Sequence, residues 1–320
     1  MRVLVTGGAG FIGSHLVDAL LASGDAVTVV DHLVRGHDSN LLGAYAAGAT
    51  MVRADVTDTA AMAAAVREAQ PDVIHHLAGQ IDVRRSIADP SFDAHVNVGG
   101  TAAVLEAAYR AGVRRVVFAS TAGVYGDPAV LPASEDAPIA PMSPYGASKA
   151  AAETYMQLFS RLRGISTLSL RMANVYGPRQ NPHGDAGIVA ILCGALVTGR
   201  PATIYGDGRQ TRDYVYVDDV VAAFVAAGRH DVDGALNVAT GSETTLRSLT
   251  AEIGVCTTNA APRHGDVRRS CLNPRRAHER LGWRARTPLS EGLAHTVGAV
   301  TALAQRGSAA AVAVRGRSQP

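Results

Sequence analysis

Tyr145 and Lys149 stand four residues apart in the segment Ser143-Pro144-Tyr145-Gly146-Ala147-Ser148-Lys149. That spacing puts both on one face where a helix begins. A phenol beside an ammonium can do proton chemistry. The cation favours the phenolate, lowers the tyrosine pKa toward neutrality, and lets the ring oxygen take a proton from a substrate hydroxyl. Position 149 is singular in another way: of 30 basic residues, 29 are arginine and Lys149 is the only lysine. Guanidinium is planar, forked and permanently charged, whereas ammonium is a compact point charge with rotatable donors. An exposed helical tyrosine beside a solvated lysine is the plainer alternative. Ser120 and Thr121, at the end of an apolar run, add hydroxyls that can reach a reacting oxygen or simply cap a turn.

A second constellation lies at the N-terminus. Gly7, Gly10 and Gly13 punctuate the loop Gly7-Gly8-Ala9-Gly10-Phe11-Ile12-Gly13 between a strand-like and a helix-like segment. Glycine permits a tight turn and close approach to a pyrophosphate, and the following helix aims its free N–H groups at that anion. Asp31 ends the next strand, where a carboxylate accepts both ribose hydroxyls of NAD and repels a 2′-phosphate. Arg35, four residues on, favours NADP instead. Asp55 and Val56 follow the third strand, where an adenine amino group is read or a simple turn is made.

These groups need a frame. Short β-branched runs at Arg2–Thr6, Ala26–Asp31, Met51–Ala54, Asp72–His76, Arg115–Ser120 and Ile165–Leu170 alternate with helix-like stretches at Phe11–Ser23, Thr59–Ala69, His95–Gly112 and Ala147–Gly164. Continuous apolar strands imply burial on both faces, and the alternation predicts an α/β fold with a doubly wound parallel sheet. After Tyr176, Gly and Pro break the pattern, which predicts a smaller C-terminal substrate-binding domain. The expected division is 1–175 and 176–320, with 214–240 returning to the first domain through the strand-like run Gly234–Ala239. The tail from Gln305 is expected to fray.

Composition excludes several classes. With 47% hydrophobic and 18% charged residues the chain is globular, and a net charge of +2 makes no nucleic-acid or membrane field. Three widely spaced cysteines indicate neither a disulfide framework nor a metal site. The apolar run around Ile188 to Val197 is too short for a bilayer, and no signal-peptide pattern opens the chain, so a cytoplasmic location is expected.

The segments TGGAGFIGSHL, HHLAGQIDVRRS, STAGVYG, SPYGASK, RMANVYGPRQNPHGDAGIVAIL and GDGRQTRDYVYVDDVV together resemble the extended short-chain dehydrogenase/reductase family. Within it the likeness is to the bacterial branch that epimerises UDP-glucose and UDP-galactose at C4, over about residues 1 to 295. The resemblance implies a Rossmann sheet, permanently bound NAD and a UDP-hexose substrate. Tyr145 deprotonates the C4 hydroxyl as hydride leaves, the 4-keto sugar turns over, and hydride returns to its other face. Lys149 holds the nicotinamide ribose, its charge and that of the nicotinamide of NAD⁺ together bringing the Tyr145 pKa toward neutrality, and Thr121 assists the proton transfer.

The same resemblance places Phe11, Ile12, Leu77, Ala78, Gln80, Asn97 and Ser120 against the cofactor. It places Asn174, Val189, Thr203, Tyr205, Arg212, Arg263 and Asp266 around the nucleotide sugar, guanidinium forks suiting phosphate geometry. It also implies a homodimer through the helices His95–Gly112 and Ala147–Gly164. Related dehydratases carry Asp-Glu directly after the Thr121 position, and related decarboxylases a Glu. This chain has Ala122-Gly123, which leaves elimination without its acid and base. Ser270 replaces a bulky Tyr of some relatives, an opening through which N-acetylhexosamines are expected to enter. The rivals are a UDP-glucuronate or dTDP-sugar epimerase, a dehydratase or 4-ketoreductase, and, from another class, a non-catalytic NAD-binding regulator.

Overall fold

Val116 and Phe118 of the strand Arg115–Thr121 pack into one hydrophobic cluster, while Val117 and Ala119 pack into another. Alternating side chains that are all apolar can be buried only if both faces are covered, so this strand lies inside a sheet with helices on either side. The computed structural model describes residues 1–182, 187–262 and 267–316, with side chains described as far as Gln305. Its main sheet is built from β1 (Arg2–Thr6), β2 (Ala26–Asp31), β3 (Thr50–Arg53), β4 (Val73–His76), β5 (Arg115–Thr121), β6 (Ser166–Met172) and the strand Gly234–Val238.

Among the described residues this sheet has seven strands, all parallel, in the order Gly234–Val238, β6, β5, β4, β1, β2, β3. The order reverses between β1 and β4, which opens a crevice at the carboxyl ends of those strands, where doubly wound sheets take their ligands. One face is covered by α1 (Phe11–Ala22) and the helix Val217–Arg229, through Leu16, Leu20 and Phe224. The other is covered by Thr59–Ala69, Gly100–Arg110 and Pro144–Arg163, through Met62, Leu105 and Met156.

Beyond β6 the strands are short and form separate small sheets. Asn174–Tyr176 pairs with Tyr214–Tyr216, Ala202–Tyr205 pairs with Thr257–Ala260, and Thr211–Arg212 lies between Thr244–Thr245 and Arg269–Ser270. Among the described residues no helix is long and apolar enough to cross a membrane.

Two segments depart from the sequence reading. The expected single helix His95–Gly112 is broken: Pro90–Ala94 leads into a π-helical turn at His95–Gly99, and the regular helix runs only over Gly100–Arg110. The wide turn brings Asn97 inward, where its side chain holds the backbone of Gln80 in both directions, at 2.9 and 3.0 Å. At the C-terminus the last helix, Leu289–Gly316, runs on past Gln305, where fraying was expected. The Ala-rich composition there favours helix strongly enough to continue it.

Candidate active site

At the start of α1, no side chain caps the helix. Its first N–H groups therefore point into the crevice with the positive end of the dipole, as an anion site requires. The loop is closed by backbone contact. A Cβ on Gly13 would sit 2.1 Å from the Gly7 carbonyl oxygen, and Gly7 itself has φ +71°. Gly13→Ala is thus expected to push the loop open. Overpacking of ~1–3 kcal/mol corresponds to roughly ten- to hundred-fold weaker cofactor binding. The measurement is the fraction of NAD retained on purification, and full retention would contradict the proposed loop role.

Asp31 is buried at the end of β2, where its two carboxylate oxygens accept the Ala9 and Leu33 N–H groups at 3.0 and 2.8 Å. Arg35 is drawn away to Asp82 at 3.3 Å, so the cation that would have favoured a 2′-phosphate is engaged elsewhere. Asp55 closes its own turn, Oδ1 accepting both the Thr57 amide and hydroxyl, and Val56 is buried against Gly100. Leu77 and Ala78 donate their N–H groups to the backbone and hydroxyl oxygens of Thr6, which docks the β4 loop against Gly7. This glycine-lined cradle, with a carboxylate at the ribose end, fits NAD.

Tyr145 lies one residue into the helix Pro144–Arg163, whose start is capped by the Ser143 hydroxyl accepting the Gly146 N–H at 3.1 Å. The turn Ala122–Val124 packs directly on it, for a Cβ on Gly146 would come within 2.5 Å of the Gly123 carbonyl. This approach brings the end of β5 to the phenol. The Thr121 hydroxyl accepts the Gly123 N–H at 3.1 Å, and its own proton is free to face the Tyr145 phenol, whose pKa it lowers. Lys149, one turn further on, is buried; its ammonium donates to the Ala119 carbonyl at 3.0 Å and lies 4.6 Å from the Phe118 ring centre.

The protein alone does not bring the Tyr145 phenol toward neutrality: burial pushes it up to about 12, the Asp93 carboxylate adds to that, and only the Thr121 hydrogen bond opposes it. Burial brings Lys149 down to about 8 against the raising effects of Asp93 and Glu153. Desolvation disfavours both charged forms, so the neighbouring ammonium does not suffice to ionise the phenol.

Ser120 shares the neighbourhood, but its hydroxyl donates to Glu153 rather than toward Thr121. Glu153 is held in turn by Arg171, at 2.6 Å from Nη2 and 3.0 Å from Nε, and Arg171 donates to the Tyr125 hydroxyl at 2.8 Å. Gln80, Asn97 and Asp93 make a second buried group: Gln80 donates to Asp93 Oδ1 at 2.7 Å, and Asn97 donates to the same oxygen at 3.3 Å and to Ser148 at 3.0 Å. Asp93, Glu153 and Arg171 were not singled out from sequence. Only Glu153 left a signal, four residues after Lys149 on the same helical face.

Of the nucleotide-sugar residues, Asn174 is half-buried on a short strand beside Asp213, and Arg212 pairs in register with Ser270 across neighbouring strands. Thr203 is exposed and Tyr205 half-buried on the strand Ala202–Tyr205. Val189 is buried within the hydrophobic core of the helix Ile188–Thr198, which leaves its side chain facing inward. Arg263 and Asp266 lie outside the described residues. Asp213, which could have been read as a surface partner of Arg212, is buried and ties Thr240 and Gly241 at 2.7 to 3.0 Å.

Residues 3–239 match the model of the NAD dependent epimerase/dehydratase family. A UDP-glucose 4-epimerase of Mycolicibacterium smegmatis is 50% identical over 306 residues, covering 93% of this chain and 97% of the relative. Among solved structures, the UDP-glucose 4-epimerase of Thermotoga maritima with UDP-glucose superposes with a TM-score of 0.90 at 40% identity, over 93% of this chain and 98% of that one. The Thermus thermophilus UDP-glucose 4-epimerase in complex with NAD gives a TM-score of 0.87 at 42% identity, over 94% and 99%. With the cradle at Gly7–Gly13 and the Thr121–Tyr145–Lys149 cluster already in place, the chain belongs to the NAD-dependent epimerase/dehydratase family.

Proposed function

We propose that the protein is an NAD-dependent nucleotide-sugar 4-epimerase that interconverts UDP-glucose and UDP-galactose. The observation that carries this reading is the end of β5: Thr121 bonds the Tyr145 phenol, and the adjoining Ala122-Gly123 offers no carboxylate. Removal of water across C5 and C6 needs an acid and a base at that place. A proton taken from and returned to one hydroxyl needs only the phenol.

Bound NAD supplies the hydride acceptor, and its nicotinamide charge favours the phenolate. Tyr145 Oη takes the C4 hydroxyl proton and holds it until the sugar carbonyl is reduced. Thr121 donates to that same oxygen and steadies the phenolate. Lys149 offers a compact cation to the ribose beside the phenol. Arg212, Asn174, Thr203 and Tyr205 hold the nucleotide-sugar end, and Ser270 leaves room for an N-acetyl group. In this reading residues 1–175 bind NAD and 176–320 mainly the nucleotide sugar, with 214–240 returning to the first unit. Tyr109, Tyr155 and Leu162, exposed on the helices beside the site, support a homodimer through that face.

The test is incubation of purified protein, without added cofactor, with UDP-galactose, UDP-GlcNAc, UDP-glucuronate and dTDP-glucose in separate reactions. Interconversion of UDP-galactose and UDP-glucose is expected. Net oxidation, elimination or no reaction in every case rules the reading out. Turnover of UDP-galactose with none of UDP-GlcNAc removes the role given to Ser270.

A further inference from the structure

Asp93 is fully buried on the short helix Pro90–Ala94, which packs against the Tyr145 helix. Its Oδ1 accepts both the Gln80 and Asn97 amides, whereas its Oδ2 meets no hydrogen-bond donor. An unpaired carboxylate oxygen away from water is costly unless a positive charge lies close by. The other carboxylate facing Lys149 is Glu153, and Arg171 already neutralises it at 2.6 Å. The remaining titratable neighbours bring no negative charge: His76 is neutral through burial, and Tyr145 keeps its proton. The two groups meet around Gly79, where a Cβ would lie 2.8 Å from Asn97 Oδ1 and 3.1 Å from Lys149 Nζ. Glycine there lets Asn97, which Asp93 holds, and the ammonium share the space a side chain would fill.

We propose that Asp93 is a positioning residue whose unpaired carboxylate oxygen is the counter-charge that keeps Lys149 an ammonium beside the Tyr145 phenol. Asp93 touches neither substrate nor hydride. It sets the charge of the residue that does the work, and through Asn97 and Gln80 it sets where that residue sits. The effects of Asp93 on both Lys149 and Tyr145 have the sign this requires, since each is pushed toward its protonated form.

The sequence makes a direct test possible. With one lysine in the chain, protein grown on lysine labelled at Cε and Nζ gives a single side-chain NMR signal. In wild type, with NAD bound, that signal is expected to titrate near 8, where burial places it. In Asp93→Asn, which keeps an oxygen for Gln80 and Asn97, the midpoint is expected to fall by about one pH unit or more, as for loss of a close opposite charge. Asp93→Ser, which also removes the charge, should shift it the same way. An unchanged midpoint in either folded variant overturns the proposal. If neither variant folds, the wild-type carboxyl carbon of Asp93 decides. A step in its shift at the Lys149 midpoint supports the pairing, and its absence overturns it. The signal reads lysine charge whether or not the epimerase reading holds. If that reading holds, the alkaline fall in kcat moves down in pH with the NMR midpoint.

Discussion

Tyr145→Phe is expected to lower kcat by about 10²–10⁴-fold, the range for loss of a positioned acid–base group, while NAD stays bound and thermal stability changes little. The ring survives, so packing against the Ala122–Val124 turn is kept. What is lost is the one oxygen that meets the Thr121 hydroxyl. Because burial and Asp93 hold the phenol near 12, its proton leaves readily only when the cofactor's charge is at hand. Lys149→Arg should lose most of the rate as well, for a planar fork cannot take the pocket between the Ala119 carbonyl and the Phe118 ring. Steady-state turnover of UDP-galactose checks both variants. A Tyr145→Phe enzyme that keeps half its rate would end the assignment.

The largest expected loss of stability is at Arg171. Its guanidinium and the Glu153 carboxylate are both buried, joined bidentately and extended to Ser120 on one side and Tyr125 on the other. Arg171→Ala strands a carboxylate between β5 and the Tyr145 helix, which costs about 3–5 kcal/mol. Replacing both partners, as in Arg171→Met with Glu153→Leu, removes the uncompensated charge and should recover most of that loss. Urea denaturation of wild type, Arg171→Met, Glu153→Leu and the double variant gives the cycle. Equal destabilisation in the single and the double variant would show that the pair is not what holds this joint.

The frame was legible because burial on both faces leaves its mark on composition. Runs such as Val3-Leu4-Val5 and Val116-Val117-Phe118 can be little else in a chain that alternates them with helices. Thr121, Tyr145 and Lys149 were legible for the opposite reason, as reactive types at helical and strand-end spacing. The Asp93–Asn97–Gln80 group was not. Gln80 stands 13 and 17 positions before Asp93 and Asn97, and an aspartate in an amphipathic segment reads as solvated surface until the π turn draws the segment inward. Arg171 and Glu153, 18 apart, were hidden the same way, since charge on a strand or helix carries no sign of its partner. The phenol's raised pKa without the cofactor leaves no mark in the spacing, which reveals a neighbouring cation but not the water that burial removes.

The strand Gly234–Val238 completes the main sheet although more than sixty residues of the chain separate it from β6. Arg115, on β5, clasps the approach to that strand through the carbonyls of Ala227 and Val232, and Asp233 takes the Thr167 amide at 2.9 Å. During synthesis, then, β6 leaves the ribosome with β5 to pair on one side and its other edge open. That edge stays open until residues 173–233 have also been made. A naked edge of that kind invites pairing with another copy. Residues 1–172 are therefore not a portable module: the last strand of their sheet is delivered by a segment more than sixty positions on, and the sheet is not finished without it.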